Sequence, residues 1–413
     1  MLLALTLCSL PESAFAQDAD PLCHVAPHNR LCADFPHDVP EFSEFFEYMV
    51  ISGAAQRPFD RHGWQAFVAL NWDGVGQGAQ VTWRDFPRRD DVLGIDSAAQ
   101  CGAAATQAEV IITDFRQSDG HALIDRAGNF IVYETRMNPT AARYITESGL
   151  LTIEGQRRTD VDFPRGESAA VPASVTLKTA WQILDAPSDD YITARGLIVV
   201  APEDSITGTP LCIEVPLGLV GMHIVTKVDS GNGDEWIWAT FEHRNNAPVA
   251  ADARDINAIY GNDLFPEGCV APHDALQTYL LNTGQGPANT PPGPVLWSPA
   301  PPHAVTETGP APPTRVVRCW DIFAPTQATN ARWQGLLQGT PLANYMLIST
   351  QWRGANASPY IEHGELPRFL SNTTLETYIQ TDRDGTCIGC HAGATTAAGT
   401  FADATFILRR IPQ

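Results

Sequence analysis

The sequence predicts a mainly β protein, an antiparallel sheet or sandwich with several short helices, and three observations carry that expectation. The chain holds 32 Gly and 32 Pro with only 18% charged residues, a mixture that favours many short elements joined by turns. Runs rich in β-branched and aromatic residues recur between turn clusters through the middle of the chain. Neighbouring strands joined by turns rather than helices point to antiparallel pairing. With 413 residues, 44% of them hydrophobic, there is material for one large core or two medium ones.

From the N-terminus, residues 2–10 form an apolar run, and Ala14-Phe15-Ala16 before Gln17 fits an A-x-A cleavage site. Residues 1–16 are therefore expected to be a signal peptide, although no positive charge precedes the run. It is too short to span a bilayer, and no later stretch reaches ~20 apolar residues, so no transmembrane segment is expected. Export to the periplasm, or secretion, follows. Cysteine usage agrees: Cys23, Cys32, Cys101, Cys212, Cys269 and Cys319 are an even set suited to disulfides in an oxidising compartment. A Cys23–Cys32 pair would close a short loop; the pairing of the other four stays open.

Residues 17–283 read as a β-rich body with N-terminal helices. Residues 41–54 carry Phe42, Phe45, Phe46, Met49 and Val50 at helical spacing, and residues 60–72 repeat the pattern with Trp64, Phe67 and Val68. Strands are expected at 130–135, 174–184, 191–200, 212–228 and 235–243, the last two flanking a Ser-Gly-Asn-Gly-Asp turn at 230–234. Between the first two, Asn138 as N-cap, Pro139 as first helical residue and Gly149 as stop bracket a helix. Ten prolines fall within residues 284–314, which read as an extended surface connector. Residues 315–413 form the closing segment: a strand, a helix and a strand ending near residue 352, then a short helix at 373–380 with Thr373 and Glu376 as a capping box.

The chemistry-bearing motif lies in that last segment. Cys387-Ile388-Gly389-Cys390-His391 is a C-x-x-C-H run, the pattern for covalent attachment of one haem c. Two thiols three positions apart each add to a vinyl group of one porphyrin edge, and the next residue brings its imidazole to the iron as proximal ligand. Zinc would want a second ligand cluster, which the sequence lacks, and a thioredoxin-like pair would want a βαβ setting. Only 22 residues follow His391 and none is Met or His, so the segment is a haem-bearing helical piece rather than a complete cytochrome c domain. A sixth ligand must then come from upstream, or the iron is five-coordinate.

The upstream candidates for the distal position are His243, His223 and Met222. Met49, Met137 and Met346 complete the methionines of the mature chain. His223 and His243 fall on the two strands of the expected hairpin. His243 alternates with Ile237, Ala239 and Phe241 and so belongs to an apolar face, while His223 and Met222 face opposite ways. His24, His28, His37 and His303 lie in Pro-rich stretches and are expected at the surface. Arg409 and Arg410 are candidates for propionate pairing, since guanidinium forks match carboxylates. Trp64, Trp72, Trp236 and Trp238 are expected in the core.

The net charge is −21 and the only lysines are Lys178 and Lys227, which disfavours nucleic acid as a partner. A redox partner protein or a small-molecule substrate is the expected partner.

Three islands resemble a family of bacterial exported "cytochrome c family" proteins. They are Gly63-Trp64-Gln65-Ala66-Phe67-Val68-Ala69-Leu70-Asn71-Trp72, the pair Gly221-Met222-His223-Ile224-Val225 and Trp236-Ile237-Trp238-Ala239-Thr240-Phe241-Glu242-His243, and Ser371-Asn372-Thr373-Thr374-Leu375-Glu376-Thr377 followed by the C-x-x-C-H run. The resemblance implies a monohaem protein with a large non-cytochrome body. It supplies no substrate. The expectation is thus an exported monohaem c-type cytochrome engaged in electron transfer. The alternatives are a haem enzyme, peroxidase- or oxygenase-like, with an open distal site, or a haem-based ligand sensor.

Overall fold

Alternation along one long strand organises the protein, because side chains two apart share a face and the two faces bury different things. The structure is a computed structural model that describes residues 35–36, 56–72, 82–167, 170–229, 234–254, 269–272, 279–282, 286–352, 370–381 and 386–411. The signal segment, Cys23, Cys32, the helix expected at 41–54, Met49, His24, His28, His37 and most of the turn at 230–234 lie outside those residues.

In chain order the main elements are α1 (Gln56–Asn71), β1 (Val110–Ile112), β2 (Val132–Met137), α2 (Pro139–Glu147), β3 (Val175–Ile183), β4 (Thr193–Val200), β5 (Leu211–Asp229), β6 (Asp234–His243), β7 (Val249–Arg254), β8 (Leu296–Trp297), β9 (Ala304–Thr306), β10 (Gly309–Pro310), β11 (Arg318–Trp320), α3 (Ala324–Leu336), β12 (Tyr345–Trp352) and α4 (Cys387–His391). The protein is mainly β. Strand β5 is the spine: one edge pairs with β3, and the other is shared by β4 along its first half and β6 along its second. β12 extends the sheet beyond β6 and β1 extends it beyond β4. All these pairs are antiparallel except β1–β4, so the sheet is mixed rather than purely antiparallel. It nearly closes on itself, because just beyond β1 the Asp114 carbonyl accepts the Tyr133 N–H of β2 at 2.9 Å.

Local signals explain the elements that bracket the site. The Asn138 side chain accepts from the Ala141 N–H and Pro139 opens α2, while Gly149 just beyond it sits at φ 70°, a conformation that favours glycine. Against one face of the sheet, α1 packs Trp64 edge-on to Phe241 at 5.1 Å and Phe67 stacked on it at 4.3 Å. Burying each such ring contributes roughly 1.5–3 kcal/mol. Asp60 of α1 is wholly buried and accepts from Gln56, Thr326 and Thr350, which ties α1 to α3 and β12. That burial raises its carboxyl to about 6, against the pull of those hydrogen bonds.

Two departures from the sequence reading are informative. The Pro-rich stretch is more than a surface connector: within it β8, β9 and β10 form a small sheet, Trp297 and Ala304 join the main core, and His303 is 3% exposed with Nδ1 2.8 Å from the Ser298 carbonyl. Proline spacing marks extended backbone but does not reveal that a single tryptophan within it is a core anchor. The helix expected at 373–380 is also reduced to one short turn, Thr377–Ile379. The Thr373 side chain is spent on Glu242 instead, and Asn372 takes the capping position one residue earlier, accepting from Thr374 N while its own N–H donates to Glu376.

Disulfides join Cys101 to Cys212 and Cys269 to Cys319, leaving Cys387 and Cys390 outside any disulfide. Among the described residues no helix is long and apolar enough to cross a membrane.

Candidate cofactor cleft

The C-x-x-C-H run forms α4, one turn of helix held from three directions. Thr386 caps it, its Oγ1 accepting from Gly389 N at 2.9 Å. The Ile388 side chain is buried in the cluster formed by Met137, Trp236, Trp238 and Leu408, and its N–H donates to Gln351 Oε1 of β12 at 2.8 Å. Positions three and four apart on a helix share a face. Cys387, Cys390 and His391 accordingly line one cleft of about 370 Å³, within the range of small-molecule and cofactor sites.

His391 is oriented by a backbone group. Its Nδ1 lies 2.8 Å from the Ala404 carbonyl oxygen, which can only accept, so Nδ1 carries the proton and Nε2 is left as the lone-pair nitrogen. Among the described residues nothing hydrogen-bonds Nε2. Burial lowers the imidazole pKa to about 4, against the opposing Ala404 bond, so the ring is neutral and able to ligate at neutral pH. Trp238 and Phe406 flank it, with ring centroids 6.0 and 5.1 Å away. Burial also pushes the Cys387 thiol up, keeping it protonated.

The sheet supplies the far wall. His223 of β5 sits opposite Lys178 of β3 and Thr240 of β6, and Trp238 of β6 lies opposite Val225. His223 Nε2 is 3.3 Å from Glu376 Oε2, close enough for an ion pair, yet it makes no hydrogen bond with good geometry. Burial raises the Glu376 pKa, but the neighbouring His223 and Lys178 and the Asn372 N–H outweigh it and hold the carboxyl below its ordinary value. The segment that brings Glu376 here is anchored on Glu242, which is fully buried, accepts from Thr373, and is paired with Arg318. Its approach depends on Gly221, where a Cβ would lie 2.2 Å from Thr374 Oγ1. Arg409 and Arg410 line the mouth and are exposed; no carboxylate among the described residues pairs with either.

Of the residues singled out in the sequence, the structure brings together Cys387, Cys390, His391, His223, Arg409 and Arg410. It places His243 and Met222 elsewhere. His243 faces the other side of the sheet, 1% exposed, its Nε2 3.1 Å from the Asp190 carbonyl and its Nδ1 accepting from Asn245 N at 3.3 Å. Both nitrogens are used, and Tyr191 and Tyr345 flank the ring. Met222 is buried in the main core with Sδ 3.6 Å from Asn71 Nδ2. Met137 belongs to the same buried cluster as Ile388 and does not line the cleft. Lys178, Glu376, Tyr133 and Ala404 were not legible as site residues. Lys178 carried a faint signal as one of two lysines in the chain; Ala404 carried none, because a backbone carbonyl has no residue-type signature.

No protein-family model, no curated protein and no solved structure matches the chain. Among the described residues no group of three or more His, Cys, Asp or Glu is arranged to hold a metal ion by itself. The cleft holds two thiols and the imidazoles of His391 and His223, and its lining mixes apolar residues such as Val225, Trp238 and Phe406 with charged ones such as Arg89, Asp114 and Glu134.

Proposed function

We propose that the chain is an exported monohaem c-type protein working in electron transfer. One haem is held by thioethers to Cys387 and Cys390, and its iron is ligated by His391 Nε2. The observation that carries this reading is the His391–Ala404 hydrogen bond within a C-x-x-C-H helix facing a cleft. A ligating histidine almost always ties its second nitrogen to a carboxylate, a backbone carbonyl or water, and His391 Nδ1 is so tied. Part of the lining suits a porphyrin: Trp238, Val225, Phe406 and Ile407 offer apolar contact, while Arg409 and Arg410 offer forks to carboxylate propionates. When bound, the haem supplies reversible one-electron chemistry. The two disulfides agree with an oxidising compartment, of which the periplasm is the one that fits a bacterial c-type protein. The partner on this reading is a redox protein.

His223 is the residue for the distal position, since His243 and Met222 are committed to the opposite face. One observation favours the second reading, a haem enzyme with an open distal site. His223 Nε2 is turned to Glu376, and an imidazole beside a carboxylate is an arrangement that holds and moves a proton. Two experiments separate the possibilities. Haem staining on a denaturing gel is expected for the wild type and lost completely in Cys387→Ala/Cys390→Ala; a stained double variant would refute covalent attachment. A low-spin spectrum unmoved by cyanide or CO supports the carrier with His223 as ligand, and a high-spin spectrum that shifts supports the enzyme.

A further inference from the structure

One of the chain's two lysines is buried beside the proximal histidine's support, and nothing in the motif accounts for it. Lys227 of β5 is 4% exposed. Its Nζ reaches Asp162, and it donates to Asp403 Oδ2 at 2.7 Å. Asp403 accepts two further bonds: Oδ2 from Phe163 N at 2.8 Å and Oδ1 from Trp236 Nε1 at 3.1 Å. This residue and its neighbour depart from ordinary backbone, Asp403 at φ 50° and Ala404 at φ 56°. Two successive non-glycine residues in the left-handed region are costly and persist only where the surroundings over-determine them. The product of that kink is the Ala404 carbonyl aimed at His391 Nδ1, with Ala402 N bonded back to Ala394 O at 3.1 Å to close the loop over α4.

Resting on the haem reading above, we infer that Lys227 and Asp403 are positioning residues that set the electron-donating strength of His391 through the Ala404 carbonyl. The chain of contacts runs from a central strand to the proximal ligand in three steps: Lys227 to Asp403, Asp403 to the turn, the turn to Nδ1. A carbonyl held on Nδ1–H makes the imidazole a more basic ligand, which favours the ferric over the ferrous state. Loosening the anchor weakens that bond and raises the midpoint potential.

The test uses the full-length protein in two forms. In the haem-loaded protein, Asp403→Ala and Lys227→Met are expected to weaken the relative stabilisation of the ferric state on the order of tenfold, an upward shift of ~59 mV for a one-electron couple. Lys227→Arg, which keeps the charge, is expected to return most of it. In the haem-free Cys387→Ala/Cys390→Ala background, ¹⁵N NMR of His391 is expected to show the Nδ1–H tautomer, giving way to a tautomer mixture when Asp403→Ala is added. Where Asp403→Ala does not fold, Asp403→Asn keeps the Oδ1 acceptor and carries the same expectation at smaller size. A wild-type protein without haem removes the haem reading, and the tautomer measurement still decides the anchor. Potential and tautomer both unchanged in variants that merely melt earlier would overturn the inference and leave the residues as packing.

Discussion

His223 and His243 sit on adjacent, paired strands of one sheet and meet opposite fates. His243, on the α1 face, has both ring nitrogens engaged, aromatic neighbours on two sides and 1% exposure. His223, on the cleft face, presents a buried Nε2 with no good hydrogen bond beside the carboxylate of Glu376. The same residue type is structural on one side and chemically available on the other, and the alternation of the pleat decides which. On the α1 face both nitrogens of the histidine are engaged by backbone groups. On the cleft face the histidine keeps Nε2 without a well-formed hydrogen bond, 3.3 Å from a carboxylate oxygen.

The first way to break this contrast is to detach the segment that builds the cleft wall. Arg318→Met leaves Glu242, fully buried, without the cation that pairs it and so destabilises the carboxylate that holds Thr373. Removing one member of a buried pair costs about 3–5 kcal/mol. Urea denaturation is expected to show a loss of that size, and an effect below about 1 kcal/mol would mean the anchor is dispensable.

A smaller effect probes the opposite face through pH. Burial lowers the His243 pKa to about 4, against the opposing Asp190 bond, from the ordinary 6.5. Between those values the unfolded chain binds a proton that the folded chain does not, so stability falls as pH drops through 6.5 and stops falling on this account below about 4. His243→Gln removes the contribution. The stability difference between wild type and variant is then expected to shrink by up to ~1.4 kcal/mol per pH unit on acidification across that window. Asp125, whose carboxyl burial raises to about 7, works with the opposite sign, so the comparison must be made between variants rather than on one profile. A difference independent of pH would show that His243 titrates normally.

The smallest stability change, and the largest spectral one, is expected at His223. His223→Ala removes a side chain that sits 3.3 Å from Glu376 without a well-formed hydrogen bond, so denaturation is expected to move by less than for Arg318→Met. The optical spectrum of the haem-loaded protein is expected to change spin state or ligand affinity. A spectrum identical to wild type would take His223 off the distal side.

Much of the framework was legible in residue order. Asn138-Pro139 and Gly149 bracket α2, and runs of β-branched and aromatic residues between turn clusters placed β3, β4, β5 and β6 to within a few residues. The opposition of His223 to Met222, and the apolar face of His243, followed from alternation alone. The C-x-x-C-H spacing marked α4. What sequence did not reveal were relations made by tertiary approach. Glu376 reaches the cleft because Gly221 leaves room for the 371–375 segment, the burial of Trp297 hides inside a proline-rich stretch, and Ala404 acts through its backbone. None of these has a local pattern. Each is fixed by which surfaces meet.

The central claim is that one porphyrin is covalently held by Cys387 and Cys390. Intact mass of the mature protein, expressed together with c-type haem attachment machinery and measured after denaturation, tests it most directly. The account predicts the polypeptide mass plus one iron protoporphyrin, retained after acid denaturation. The bare polypeptide mass from a folded protein would contradict it.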